Sequence, residues 1–203
     1  MIGQKTRVSP GALVGPVHPQ AGGAFTRWLG RAMLSLMGWK IGGNLPDVPK
    51  AILVGAPHTS NNDLTLAIAM RLATGLDYNF MMKREAFRWP LGPLWKSLGG
   101  VPIDRSASRD RIQQTADWFD SRERAYLGIT PEGTRSKVDR WKTGYLRIAQ
   151  AANIPVMIAG VDGARRTLVF DRLWPLTGDI DADNAAIRDY VRSTYAGMKP
   201  QNS

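Results

Sequence analysis

The chain contains no cysteine. That absence excludes a disulfide framework, a thiolate zinc site and an acyl-enzyme built on a thiol. Histidine is scarce too. Only His18 and His58 occur, so a metal site would have to rely on carboxylates, and metal ligation is not expected. No apolar run reaches the ~18–20 residues that cross a bilayer, so contact with a membrane would be at its surface. No apolar segment followed by a small-residue cleavage site marks a secretory signal near Met1. Acid is in short supply: 17 Asp and Glu stand against 27 Lys and Arg, a formal net charge of +10. A surplus of that size in 203 residues implies an anionic partner, whether nucleic acid, a lipid surface or a phosphorylated substrate.

What is present fits one globular domain. The 43% apolar fraction is ordinary, and 203 residues can enclose a full core. Residues 1–23, rich in Gly, Pro and Val and lacking acid, are expected to form a loose tail. From Ala24 a helical period appears. Phe25, Trp28, Leu29, Ala32, Met33 and Leu36 form a stripe, with Arg27 and Arg31 off it. The spacing predicts an amphipathic helix over 24–38, serving either as a core helix or as an interfacial one with its apolar face among acyl chains. Gly30 weakens that helix.

Beyond Pro46 and Pro49, strands alternate with helices. Strands are predicted at 51–56, 78–82, 99–104, 126–130 and 156–161. Helices are predicted at 63–74, 109–122, 142–153 and 182–198, with an interrupted one at 84–98 around Pro90 and Pro93. The alternation argues an α/β fold, a central mixed sheet flanked by helices.

Pro57-His-Thr-Ser-Asn-Asn-Asp63 follows the first of these strands. Five residues along one helix turn the direction by about 500°, so His58 and Asp63 could not face each other if both were helical. They can meet if His58 stands in the turn between strand and helix and Asp63 in the first helical turn. Pro57 favours this by holding Ala56 extended. Asp63 would then fix the imidazole tautomer and leave the other nitrogen free as a general base. The same two residues could equally cap and complement a helix. A second polar segment, Pro131-Glu-Gly-Thr-Arg-Ser136, follows a strand and could form a cradle, with Gly133 permitting close backbone approach. Arg105 ends the apolar strand Gly100-Val-Pro-Ile-Asp-Arg105, where a guanidinium suits bidentate phosphate binding or a salt bridge.

These three segments and Ile154-Pro-Val-Met157 together resemble the four sequence blocks of the glycerolipid acyltransferases, in the same order, over roughly residues 40–165. The resemblance implies a catalytic pair, His58 as general base and Asp63 as its orienting partner. It implies a substrate site at Arg105, Glu132, Gly133, Thr134 and Arg135, with Lys83 a further phosphate ligand and Pro155 shaping the core near the acyl pocket. The implied reaction moves an acyl group from acyl-CoA or acyl-carrier protein to a lysophospholipid hydroxyl, first of all that of 1-acyl-sn-glycerol 3-phosphate, giving phosphatidic acid. No cofactor beyond the acyl donor is implied. The implied place is peripheral, on an anionic membrane surface at the cytoplasmic face. Pro57, Asn62 and Thr130 depart from the residues common in the family, which leaves the same chemistry on another lysolipid as an alternative. A non-catalytic nucleic-acid-binding protein is the rival of another class. It is disfavoured because the aromatic residues are not interleaved with basic ones, and nucleic acid is not an expected partner.

Overall fold

The computed structural model describes residues 13–103 and 108–199. Its centre is a seven-stranded mixed sheet. In chain order the strands are β1 (Lys40–Gly43), β2 (Lys50–Ala56), β3 (Tyr78–Lys83), β4 (Gly100–Ile103), β5 (Ala125–Ile129), β6 (Val156–Asp162) and β7 (Thr167–Leu173). In space the order is β1-β7-β6-β2-β5-β3-β4. β6 and β7 are antiparallel, and every other pair is parallel. The α/β mixed sheet expected from the alternation is what the chain builds.

β2 shows why the sheet is covered on both faces. A strand sends successive side chains to opposite sides. Ala51 and Leu53 join Leu66, Ala69, Met70 and Ala73 of α2 (Asn62–Thr74) and Leu34 of α1 (Ala24–Leu36). Ile52, Val54 and Ala56 join Phe119 of α4 (Ser108–Asp120), Tyr145 and Ile148 of α5 (Gly144–Ala151), and Ile187 and Val191 of α6 (Ile180–Thr194). A strand apolar from Ala51 onward is thereby covered on both faces, as parallel strands require. Between β3 and β4 the expected interrupted helix is a 3-10 turn at Arg84–Phe87 and a short α3 at Leu91–Ser97.

One expectation needs correction. Residues 13–23 are not loose. Leu13 is buried and His18 is 1% exposed. The His18 Nδ1 accepts from the Gly15 N–H (2.8 Å), and Nε2 lies 3.0 Å from the Pro46 carbonyl, which suits the neutral tautomer protonated on Nε2. Backbone bonds from Ala21 to Gly75 (3.0 Å) and from Asp77 to Pro19 (2.9 Å) fasten the segment to the end of α2. Residues 1–12 of the expected tail lie outside the described residues. Of the two roles left open for the apolar stripe of α1, most of it does not take that of a core face, although its Met33 packs against the core. Phe25, Trp28 and Leu36 are 71, 62 and 90% exposed, while Gly30 and Leu34 are buried. A Cβ on Gly30 would lie 2.2 Å from the Ala73 nitrogen. Gly30 therefore allows α1 to approach the α2 backbone directly, and that close crossing turns the aromatic stripe outward.

Candidate functional site

In the parallel part of the sheet, β2, β5, β3 and β4 all end at one edge, where α/β sheets place their sites. The polar segments picked out in the sequence follow those ends. Residues 57–61 follow β2, 130–136 follow β5, Lys83 closes β3, and Arg105 comes just beyond β4. Arg105 lies outside the described residues, as does the Lys83 side chain.

His58 stands between β2 and α2, and Asp63 sits in the first turn of α2. The His58 Nδ1 is 2.9 Å from Asp63 Oδ2. That oxygen also accepts from the N–H groups of Thr59 and Ser60, both at 2.8 Å. One buried carboxylate oxygen thus gathers three donors and folds the turn around itself. Asp63 Oδ1 is buried and makes no hydrogen bond among the described residues. With Nδ1 committed to Asp63, the His58 Nε2 has no hydrogen-bond partner among the described residues, and the side chain keeps 18% of its exposure. This is the arrangement of an oriented imidazole with one nitrogen open.

Glu132 does something that its position in the sequence did not reveal. Its Oε1 accepts the backbone N–H of His58 at 3.0 Å. Its Oε2 is buried without a partner among the described residues. Burial raises the Glu132 carboxyl pKa, and the hydrogen bond from His58 opposes the rise. Gly133 has φ +64°, in the left-handed region that favours glycine, and closes its turn by donating to the Thr130 carbonyl at 3.1 Å. Its α-carbon lies beneath the Lys142 side chain, whose Nζ would be 2.6 Å from an added Cβ. Thr134 and Arg135 are exposed on the same loop, and Arg135 has no ion-pair partner among the described residues. Two further arginines of the surrounding loops are paired, Arg165 with Asp162 (3.1 Å) and Arg140 with Asp181 (3.7 Å).

Neither serine in these segments is set up as a nucleophile. The Ser60 Oγ accepts from the Asn62 N–H at 3.2 Å, and Ser136 is exposed. A contact missed in the sequence comes from the far end of the chain. Beyond α6, the Lys199 N–H donates to the Thr59 Oγ1 at 3.1 Å. No short motif could have announced a bond across 140 positions.

Fold and site define an α/β domain that collects an imidazole–carboxylate pair, a half-buried glutamate and the exposed Arg135 at one edge of its sheet. The chain belongs to the Acyltransferase family, which it matches over residues 40–160. That stretch contains His58, Asp63, Glu132 and the segment after β4. Among solved structures, the chain is similar to the 1-acyl-sn-glycerophosphate (LPA) acyltransferase PlsC from Thermotoga maritima. The TM-score is 0.61 at 17% identity, over 83% of this chain and 76% of that one. At this identity the likeness establishes a shared fold. No curated protein matches the chain. Among the described residues, no helix is long and apolar enough to cross a membrane.

Proposed function

We propose that this acyltransferase moves a fatty acyl group from acyl-CoA or acyl-carrier protein to the hydroxyl of a lysophospholipid, with 1-acyl-sn-glycerol 3-phosphate as the first-choice acceptor and phosphatidic acid as product. The observation that carries this reading is the 2.9 Å contact between His58 Nδ1 and Asp63 Oδ2, which leaves Nε2 open. Nε2 takes the acceptor's hydroxyl proton as its oxygen attacks the thioester carbonyl. The carbon–sulfur bond then breaks, and the thiolate recovers the proton from His58. Asp63 holds the tautomer and stabilises the transient imidazolium. A positioned base of this kind contributes ~10²–10⁴-fold, with the rest from holding both substrates and stabilising the oxyanion. No covalent acyl-enzyme is needed.

In this reading Arg135, Arg105 and Lys83 supply charge to the acceptor phosphate, while Glu132, Gly133 and Thr134 shape the acceptor site. The exposed stripe Phe25, Trp28 and Leu36, on a chain of charge +10, supports peripheral attachment to an anionic bilayer. Transfer to another lysolipid is the second reading, favoured by Pro57 and Asn62 beside the pair. Family membership speaks for an enzyme over the nucleic-acid-binding rival. A panel of lysolipid acceptors with labelled acyl-CoA, run beside His58→Ala, tests the proposal. Transfer to lysophosphatidate that vanishes in the variant is the expected result. Transfer only to other acceptors would replace the first choice, and transfer surviving in His58→Ala would overturn the mechanism.

A further inference from the structure

The stripe of α1 has a counterpart far along the chain. On the segment that leads from the 3-10 turn into α3, Trp89 is 88% exposed, Leu91 50% and Leu94 49%. An apolar cluster left in water marks a contact surface. Arg88 and Lys96 bracket it, both exposed. From Lys83 to Lys96, four cations accompany a single acid, Glu85.

The fold puts both patches in one layer. The chain runs from β2 through α2 to β3, then through α3 to β4, in one direction across parallel strands. Right-handed crossovers place α2 and α3 on the same face of the sheet. Packing agrees with that rule. Phe80 lies against the core beneath α1 and α2, and Met82, two residues on, points the same way. A Cβ on Gly100 would meet Met82 Sδ at 3.3 Å and the Trp95 carbonyl of α3 at 2.8 Å. The helices of this layer are nearly free of acid. α1 and α3 hold none, and the one in α2 is the buried Asp63. On its outer side α2 exposes Thr65 and leaves Leu64 and Ile68 half-buried, none of them charged. On the opposite face, α4 and α6 hold three Asp each. Two apolar patches with cations beside them, in one layer without exposed helical acid, match a broad negative surface over an apolar interior.

We propose that Trp89, Leu91 and Leu94 insert among the acyl chains of an anionic bilayer, with Arg88 and Lys96 on its phosphates, as a second contact beside α1. The inference rests on the peripheral-attachment reading and deepens it. Two contacts fix the tilt of the layer, and with it the height above the lipid of the turn that carries His58 into α2.

The chain has no cysteine, so Leu94→Cys takes an environment-sensitive fluorophore at one position. With vesicles of equal phosphatidylglycerol and phosphatidylcholine the label should brighten and shift to the blue. A label on Gln114→Cys, exposed on α4, should not change. Trp89→Ser/Leu91→Ser/Leu94→Ser should bind these vesicles ~tenfold or more weakly at an unchanged melting temperature, and Arg88→Glu/Lys96→Glu should lose a similar factor. An equal loss in Lys40→Glu/Arg124→Glu, the same charge change at the amino edge of the sheet, would report overall charge and remove the role of Arg88 and Lys96. A label at Leu94→Cys that stays water-like on protein that floats overturns the proposal and leaves attachment to α1. A blue shift that grows with protein concentration in the absence of vesicles assigns the patch to a second copy and also overturns it. Wild type that binds no vesicles removes the attachment reading and the proposal with it.

Discussion

Glu132 accepts the backbone N–H of His58 across 74 positions of sequence, so the loop after β5 holds the turn after β2. The glutamate expected to meet substrate also holds the main chain that presents the imidazole. Burying this carboxylate has an electrostatic cost that the bond only partly offsets. Burial raises the Glu132 pKa above its unfolded value, so the folded state binds that proton more tightly. Its contribution to stability is therefore present at low pH and lost as pH rises through the folded-state value. Glutamine keeps the accepting oxygen and cannot ionise. Glu132→Gln should melt above wild type at about pH 8, with the gap closing as the pH falls to about 5. Thermal melts at both values check this, and a gap that widens on acidification would contradict it.

The His58–Asp63 pair separates chemistry from folding. Asp63→Asn keeps an oxygen for the Thr59 and Ser60 N–H groups, yet it loses the charge that orients and supports the imidazole. Its kcat should fall by ~10²–10⁴ with little change in melting temperature. Asp63→Ala should lose as much activity and also melt lower, because two buried N–H groups lose their acceptor at ~1–3 kcal/mol each. Turnover and melting curves on the two variants distinguish these outcomes. Normal turnover in Asp63→Asn would remove the orienting role.

Gly30→Ala weighs propensity against packing. Alanine gains ~1 kcal/mol in a helix interior. Against that stands a methyl 2.2 Å from the Ala73 backbone nitrogen, which forces α1 and α2 apart at an overpacking cost of ~1–3 kcal/mol or more. Because the obstacle is main chain and cannot rotate away, the clash should win and the melting temperature should drop. A variant that melts higher would mean that the helices separate freely.

The exposed face of α1 can be tested without touching the core. Deleting residues 1–39 would also remove the buried Leu34 and Trp39 and confound the result. Phe25→Ser, Trp28→Ser and Leu36→Ser together remove only exposed apolar surface. The triple variant should melt like wild type and should float less with vesicles containing anionic lipid. Undiminished flotation would place the attachment elsewhere.

The sequence reveals what is periodic and local. β2 is legible because its apolar residues run unbroken from Ala51 to Val54, and the turn after it because Pro57 ends the strand. β1 is not, since Gly42 and Gly43 carry no alternation and the strand exists only through its pairing with β7. β7 follows a turn in which Asp162 accepts from the Arg165 N–H at 3.0 Å, a contact hidden among adjacent charges. The order of residues 13–23 depends on Pro46 and Gly75, far along the chain, so composition alone reads it as loose. The helical stripe of α1 has the right period, but period cannot tell which face meets protein. Gly30, a mark against the helix in sequence, decides that face in three dimensions.

The bond from Lys199 to Thr59 makes the two ends of the domain unequal as places of attachment. Thr59 adjoins His58 and donates its own N–H to Asp63. A fusion partner or surface linker joined just after Lys199 would pull on the peptide that frames the imidazole. One joined before Leu13 would load a segment fastened to residues 46, 75 and 77 instead. Handling of this enzyme should therefore begin from the amino-terminal side.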